Sequence, residues 1–324
     1  MSYDLPNEIL EATESLISGA QFSNLKSETA ILSSNYRNKE KSDFHNEASI
    51  LSYIHTRMPA TYAACRRVFE ILQAESDFQP QSILDVGCGP GTATIAALNT
   101  WGSITNLHLC EENKEILKLA STLTAKIKPE LPLEAQSLNL NEESPIVKSD
   151  LTIVSYLLNE LSPKAKEVFV KNLFAITDKA LCIIEPGTPE GFKNILIARD
   201  VLLKNAANIL APCPHHLACP SQNTERWCHF RVRFSRTKTH KALKGGTLGY
   251  EEEPFSFLVV SPQQSPAKHD RIISYPKHEK GRIVFELCAK DGTIQKEQIL
   301  SRNKAEYSIA KKLKFGDCYS FVKE

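Results

Sequence analysis

The sequence lacks any apolar run long enough to cross a membrane, any internal repeat and any low-complexity tract. A membrane-spanning helix needs ~18 consecutive apolar residues. The first 19 residues contain neither the basic segment nor the continuous apolar segment of an export signal. With 42% hydrophobic and 24% charged residues, the 324-residue chain has the composition of a globular protein of about two domains. This composition excludes disordered and fibrous proteins and argues against secreted and membrane proteins.

The chain has almost no net charge, +1 overall, but its positive and negative residues are unevenly distributed. Residues 199–324 carry 22 Lys and Arg against 13 Asp and Glu, a net of +9, which leaves residues 1–198 at −8. Such a split predicts a polyanionic partner for the basic half. The cysteines number nine, and an odd count without an export signal indicates metal binding or catalysis for a local cluster rather than disulfides.

Periodicity divides the chain into three regions, 1–78, 79–210 and 211–324. The first is read as helical. The second alternates strands with helices and ends in a long helix at about 193–210, which predicts a parallel sheet covered on both faces, a doubly wound α/β domain. Its expected strands are Ser82–Val86, Asn106–Cys110, Leu133–Leu138, Asp150–Ser155 and Ala180–Ile184.

The third region is predicted to be a smaller, Cys-rich and β-rich appendage. Its expected strands are Phe255–Val260, Arg282–Ala289 and Ile294–Leu300. The Asp291-Gly292 dipeptide between the last two is a strong hairpin signal.

A glycine loop, Asp85–Thr92 (DVGCGPGT), leaves the first strand and opens a helix. Its glycines permit a tight turn and a close approach of the backbone to a ligand. Glu111, which follows the next strand, can accept hydrogen bonds from ribose hydroxyls. Dinucleotides and S-adenosylmethionine both suit such a loop, but the dinucleotide fingerprint needs a third glycine where Thr92 stands, and the arrangement resembles the first motif of class I methyltransferases. The predicted S-adenosylmethionine site comprises Asp85, Gly87, Gly89, Gly91, Thr92, Glu111 and Tyr156.

Catalytic residues stay unassigned. Methyltransferases that act on exocyclic nitrogens carry an (Asp/Asn)-Pro-Pro-(Tyr/Phe) loop after the fourth strand, where this chain has SYLLNE at 155–160. Cytosine-C5 RNA methyltransferases carry cysteines after the fourth and fifth strands, and this chain has neither. An atypical acceptor site near Tyr156, Asn159 and Glu185 is the alternative, because ligands of open α/β sheets bind at strand carboxyl ends.

A cysteine cluster follows the long helix. Cys213, Cys219 and Cys228 are spaced C-x5-C-x8-C, and Cys288, just before the Asp-Gly turn, could fold back as a fourth ligand. Four thiolates could hold zinc or an iron–sulfur cluster. The paired knuckles common in zinc modules are absent, and a proline after each of the first two cysteines favours iron–sulfur. The fallback ligands are His215, His216 and His229, the first two interpreted as surface histidines.

A basic stretch, residues 226–250, contains seven cations and no Asp or Glu. The aromatic residues Trp227, Phe230, Phe234 and Tyr250 are interleaved with it. Cations beside aromatic rings are typical of phosphate neutralisation combined with base stacking. The predicted RNA-binding residues are Arg226, Arg231, Arg233, Arg236, Lys238, Lys241 and Lys244.

Six segments resemble the Rsm22 family, the methyltransferase-like assembly factors of the small ribosomal subunit found in mitochondria and bacteria. They are Arg57–Ala64, Asp85–Thr92, Glu185–Pro189, Ala211–His215, Trp227–Phe230 and Lys244–Tyr250. The resemblance covers the chain from about residue 50, and the cysteine motif together with KGGTLGY is highly specific.

The resemblance implies a class I methyltransferase fold that binds small-subunit rRNA, and a [4Fe–4S] cluster on Cys213, Cys219, Cys228 and Cys288. Because the chain starts at MSYD without an Arg/Ser-rich amphipathic segment, it looks like a compact bacterial-type member. We therefore expect a cytoplasmic monomer without a membrane partner. The alternatives are an active rRNA methyltransferase and a radical enzyme; the latter usually shows a C-x3-C-x2-C loop, which this sequence lacks.

Overall fold

The computed structural model describes residues 3–17, 21–38, 44–140, 142–264 and 269–319. Within these ranges no helix is long and apolar enough to span a bilayer. The α-helices are α1 Asn7–Leu16, α2 Phe22–Asn38, α3 Glu47–Thr56, α4 Met58–Glu75, α5 Thr92–Leu98, α6 Lys114–Ile127, α7 Pro163–Ala175, α8 Pro189–Lys204, α9 Lys238–Lys244 and α10 Lys304–Ala310. The strands are β1 Ser82–Val86, β2 Asn106–Glu111, β3 Leu133–Ser137, β4 Ser149–Ser155, β5 Thr177–Pro186, β6 Asn208–Ala211, β7 Phe230–Ser235, β8 Tyr250–Ser261, β9 Asp270–Ile272, β10 Lys277–Glu279, β11 Arg282–Cys288, β12 Ile294–Leu300 and β13 Cys318–Tyr319.

An eight-stranded sheet forms the centre, in the order β3-β2-β1-β4-β5-β8-β6, with β7 pairing β8. The five strands predicted from the sequence are parallel to one another. Successive residues of each strand face opposite layers: Ile83 packs with the cluster that contains α4 and α5, and Leu84 packs with the cluster that contains α7 and α8. The doubly wound α/β prediction is confirmed, and the chain order reverses between β1 and β4, where such folds bind ligands.

Two details of the predicted secondary structure differ. The long helix ends at Lys204 rather than near 210, because Asn208–Ala211 forms β6 instead. Strand β8, whose second half was expected in the appendage, lies antiparallel between β5 and β6 in the central sheet. Its segment Phe255–Ser261 is almost continuously buried, as a strand covered on both faces must be.

A second, five-stranded sheet, β10-β11-β9-β13 with β12 pairing β11, encloses a small core of its own. The predicted β-rich appendage and its hairpin are confirmed, since β11 and β12 pair from Arg282↔Leu300 to Cys288↔Ile294. The two sheets divide between Ser261 and Asp270, whereas the domain boundary at 210/211 stays a prediction.

Candidate cofactor and metal sites

The glycine loop connects β1 to α5 through three left-handed residues. Gly87, Gly89 and Gly91 have φ angles of 67°, 52° and 79°, a region that residues with a Cβ rarely adopt. A Cβ on Gly87 would lie 2.9 Å from the Leu157 side chain, whereas a Cβ on Gly89 would meet no atom within 4 Å. The loop therefore packs against Leu157 at Gly87 but has open space at Gly89, where a ligand could approach the backbone.

Asp85 lies fully buried beneath this loop. Its Oδ2 accepts hydrogen bonds from the Thr94 backbone N–H at 3.1 Å and the Thr94 hydroxyl at 2.7 Å. Among the described residues, Oδ1 has no hydrogen-bond partner. Burial raises the pKa of Asp85 to about 6, although the bonds from Thr94 act to lower it. A buried carboxylate oxygen without a donor suits a cationic or hydrogen-bond-donating ligand.

We expect Asp85→Asn to stabilise the ligand-free protein at pH 7.5. Because folding raises the pKa of Asp85, the folded state binds this proton more tightly, and stability falls as pH rises from about 4 to about 6. The uncharged amide side chain of the variant would not show this loss of stability. Relative to wild type, the variant's unfolding free energy should therefore be higher by on the order of 2 kcal/mol at pH 7.5, and the difference should vanish near pH 4. Urea denaturation at both pH values measures it. Asp200→Asn, at an exposed carboxylate, is the control; equal stability of Asp85→Asn and wild type at pH 7.5 contradicts the burial effect.

Glu111 ends β2 beside the open part of the loop. Its Oε2 accepts a hydrogen bond from the Gly89 N–H at 3.0 Å, and its Oε1 accepts one from the Asn113 N–H at 3.1 Å. The carboxylate thus fixes the loop while each oxygen keeps a lone pair for a further donor. Thr92, the first residue of α5, has a buried hydroxyl with no hydrogen-bond partner in the described part of the chain.

Tyr156 directly follows β4 and has a φ of 59°, a strained conformation for an aromatic residue. Its hydroxyl donates a 3.0 Å hydrogen bond to Glu253 Oε1, and Arg57 donates to the same carboxylate at 3.0 Å. The Arg57 guanidinium also lies 5.9 Å from the Tyr156 ring centroid. This cluster joins the start of α4, the end of β4 and β8. Glu253 was not predicted as a site residue, because β8 was not expected beside β5.

The two other acceptor-site candidates, buried Glu185 and exposed Asn159, belong to one polar network. Glu185 accepts hydrogen bonds from the Leu158 N–H at 2.9 Å and from Asn194 Nδ2 at 3.0 Å. Asn194 Nδ2 also donates to Asn159 Oδ1 at 2.6 Å, and Asn194 Oδ1 accepts from Lys166 Nζ at 2.7 Å. Burial raises the pKa of Glu185 to about 7. These contacts tie the turn after β4 to α7 and α8.

The four predicted ligand thiols line one cavity. Cys213, Cys219 and Cys228 come from the segment between β6 and β7, hereafter the cysteine loop (residues 212–229), and Cys288 is the last residue of β11. The structure therefore brings together residues from both sheets, as the sequence predicted. The cavity volume is about 40 Å³, room for a few waters.

Two buried arginines support the cysteine loop from beneath. Arg199, on α8, donates through its NH2 group to the backbone carbonyls of His215 at 3.2 Å and Leu217 at 2.6 Å. Arg271, on β9, donates through Nε to the Pro212 carbonyl at 2.9 Å. Both line the cavity with the four thiols. Neither role is visible in the sequence, since each needs partners that are distant along the chain.

Arg271 also links the second sheet to the N-terminal helices. Its guanidinium donates two hydrogen bonds to the Glu75 carboxylate on α4, at 2.5 and 2.6 Å, and one to the Gly316 carbonyl at 2.9 Å. In β9, Arg271 lies directly opposite Cys288 of β11. The position of Cys288 relative to the cysteine loop therefore depends on this buried ion pair.

The four cysteines share a cavity, but their thiols are not arranged around a single metal position. Among the described residues, no group of three or more His, Cys, Asp or Glu side chains could hold a single metal ion. Burial raises the pKa of the Cys288 thiol to about 12 and that of Cys228 well above its usual value. His215 is buried, with Nε2 3.5 Å from Cys288 Sγ, so its interpretation as a surface histidine is wrong. His216 is exposed as expected, and half-buried His229 stacks on Trp227.

The basic stretch is partly neutralised by acidic residues outside its boundaries. Four of its seven cations form ion pairs, because strand β8 brings Glu251 and Glu252 beside β7 and α9, and β11 contributes Glu286. The pairs are Arg226–Glu286, Arg233–Glu252, Arg236–Glu251 and Lys244–Glu251. The expectation of seven uncompensated cations is therefore wrong, and within the described ranges only Arg231, Lys238 and Lys241 of the seven lack an acidic partner.

The strand order and the glycine loop define a Rossmann-like domain of the class I methyltransferase type. The family model described as "Mitochondrial small ribosomal subunit Rsm22" matches residues 47–320. This chain therefore belongs to the Rsm22 family.

Curated relatives and solved structures are similar to this chain at low identity. "Ribosome assembly protein METTL17, mitochondrial" of Homo sapiens is 29% identical, over 97% of this chain and 70% of the human protein. "Rsm22-cox11 tandem protein 2, mitochondrial" of Schizosaccharomyces pombe is 26% identical, over 84% of this chain but 43% of its own length. The Synechocystis magnesium protoporphyrin IX methyltransferase superposes with a TM-score of 0.42 at 12% identity, over 73% of this chain and 100% of that one. The fold assignment rests on the strand order and not on this superposition.

Proposed function

We propose that this protein acts in assembly of the small ribosomal subunit, as an rRNA-binding factor whose basic region is held in shape by a [4Fe–4S] cluster. The observation that carries the proposal is the cavity shared by Cys213, Cys219, Cys228 and Cys288. Membership of the Rsm22 family and the names of the ribosome-assembly relatives support the ribosomal part. The cytoplasmic location stays a prediction, since those relatives carry mitochondrial names, and so does the monomeric state.

The four cysteines would hold the cluster through one thiolate for each iron, which leaves no open iron and makes the cluster a structural cross-link. The proline after Cys213 and after Cys219 and the lack of paired C-x2–4-C knuckles favour the cluster over zinc, which remains the alternative.

The methyltransferase-type domain is proposed to bind S-adenosylmethionine. At Gly89 the backbone of the loop is open to a ligand. Asp85 has a buried carboxylate oxygen that accepts no hydrogen bond from the described residues. Glu111 places its carboxylate at the end of β2. When bound, this cofactor supplies an electrophilic methyl group. The acceptor side favours a binding role over methyl transfer, because Tyr156 and Asn159 both have hydrogen-bond partners within the fold and Glu185 is fully buried.

The proposed rRNA contacts centre on Arg231, Lys238 and Lys241, the cations of the basic stretch for which the described part of the chain supplies no acidic partner. Replacing all three by Gln should weaken binding of small-subunit rRNA and reduce the slope of log affinity against log salt by about two. Filter binding between about 50 and 200 mM KCl measures both quantities.

The matched control replaces three exposed lysines of the acidic half, Lys148, Lys164 and Lys171, and changes the net charge equally. Its affinity should fall far less and its salt slope should stay near that of wild type. An unchanged slope in the first variant, or equal slopes in both, would remove these cations from the interface.

A further inference from the structure

A row of aromatic rings runs from the cysteine loop to the second sheet. The Trp227 ring stacks on His229 with centroids 5.4 Å apart and planes at 23°. His229 makes an edge contact with Phe315 at 6.2 Å, and Phe315 contacts Tyr275 at 5.1 Å. We call Trp227, His229, Tyr275 and Phe315 the aromatic row. Its members come from three separate segments, so no sequence pattern could reveal it.

The row lies at the surface and not in the core. Trp227 is 38% exposed and Tyr275 is 54% exposed. Beneath them Phe230 is buried and stacks on Phe315 at 5.2 Å, which gives the row a rigid floor. Trp227 Nε1 donates to the Gly187 carbonyl at 3.0 Å, which fixes the ring at the end of β5. Fixed, exposed aromatic rings mark binding surfaces.

The expectation that Phe230 and Phe234 stack on bases is wrong, because both rings are buried. Both alternate with exposed arginines along β7 and point into the core, where each is 2% exposed. Trp227 and Tyr250 remain accessible among the rings of the basic stretch.

Arginine and lysine residues neighbour the row. Burial raises the pKa of Tyr275, and the charges of Arg231 and Arg233 oppose that shift. Arg233, although paired with Glu252, lies over the Tyr250 ring at 4.2 Å. Exposed lysines adjoin the other rings in sequence: Lys277, Lys311, Lys312 and Lys314. Rings among cations suit a single-stranded nucleic acid better than an apolar protein partner.

We propose that the aromatic row stacks unpaired bases of rRNA, with Trp227 and Tyr275 as the exposed platforms. Base faces are hidden inside a duplex, so the row selects single-stranded segments. Cys228 lies between Trp227 and His229 in sequence, which places a proposed cluster ligand at one end of the row. The inference rests on the proposed rRNA-binding function and adds the kind of RNA segment and its contact residues.

Tryptophan fluorescence of the full chain reports on the row directly. The sequence has two tryptophans; Trp101 is buried at 1% exposure, so only Trp227 can meet a ligand. Titration with a single-stranded fragment of small-subunit rRNA should quench part of the emission, and the same sequence as a duplex should quench it much less. Binding of the single strand without quenching would overturn the inference, as would quenching by small-subunit ribosomal proteins alone.

Variants provide a second readout. Trp227→Ala and Tyr275→Ala should each weaken single-strand binding about tenfold with little change in salt slope, because they remove stacking and not phosphate contacts. Trp227→Phe should retain most of the affinity but lose the quench. Phe22→Ala, which truncates an exposed ring on α2, should leave binding intact.

Unchanged affinity in the alanine variants, with rRNA still bound by wild type, would overturn only the aromatic row. Failure of the wild-type protein to bind rRNA at all would overturn the proposed function and the row together.

Discussion

Cys288→Ser is expected to remove the visible charge-transfer absorption of the anaerobically purified protein and to lower its iron content from about four atoms per chain to near zero. Cys288 is the one proposed ligand that comes from the second sheet, so its loss disconnects β11 from the cysteine loop. We expect rRNA affinity to fall with the iron, because Trp227 and His229 of the aromatic row lie on that loop and Arg231 follows it in β7. Absorption spectra, iron analysis and filter binding measure the three effects.

Cys318→Ser is the matched control. Cys318 lies on β13 of the same sheet and does not line the four-thiol cavity. Its variant should keep colour, iron and rRNA affinity. An intact spectrum in Cys288→Ser would remove Cys288 from the ligand set, whereas loss of colour in both variants would point to general damage to the second sheet.

Arg271→Ala is expected to lower the free energy of unfolding by about 3–5 kcal/mol, because it leaves the Glu75 carboxylate without its partner in a largely buried pair. The same side chain holds the Pro212 and Gly316 carbonyls. Its loss should therefore also loosen the cysteine loop and the attachment of β9. Chemical denaturation measures the stability, and hydrogen exchange at the amides of β9 and β11 locates the loosening.

Arg226→Ala tests whether burial of the ion pair causes the loss of stability expected for Arg271→Ala. Arg226 forms an equally bidentate pair with Glu286, at 3.2 and 3.1 Å, but its side chain is 55% exposed. Exposed pairs contribute little, so this variant should unfold close to wild type. Similar losses in both variants would contradict the importance assigned to the Arg271–Glu75 pair.

Features that depend on local pattern were predictable from the sequence. The strand, glycine loop and helix around Asp85–Thr92 follow from an apolar run and three turn glycines within about ten residues. The β11–β12 hairpin follows from one Asp-Gly dipeptide between two strand-forming runs. Cys288 was offered as a fourth ligand that could fold back to the cysteine loop, and the resemblance to the Rsm22 family implied the same set of four cysteines.

Features that depend on long-range pairing were not predictable. Strand β8 reads as one more apolar run, and only its partners β5 and β6 place it in the central sheet. That placement brings Glu251 and Glu252 beside the basic stretch and pairs them with Arg236 and Arg233. The net charge of residues 226–250 therefore overstated how many of their cations are unpaired, since Glu251 and Glu252 follow the basic stretch directly in sequence.

The contacts between the two sheets explain how a chain with an acidic first half (residues 1–198) could present the basic stretch and the aromatic row on one surface. Arg199 and Arg271 hold carbonyl groups of the cysteine loop, and both line the cavity that the four cysteines also line. A cluster bound there would fix the backbone on both sides of Cys228. Iron limitation or oxidation would then release Trp227 and weaken rRNA binding without unfolding the central sheet.

The most direct test of the account is iron, acid-labile sulfide and zinc analysis of anaerobically purified wild-type protein, combined with its Mössbauer spectrum. The account predicts about four irons and four sulfides per chain in a single [4Fe–4S] species. One zinc per chain, or a protein that binds rRNA with full affinity while free of metal, would contradict it.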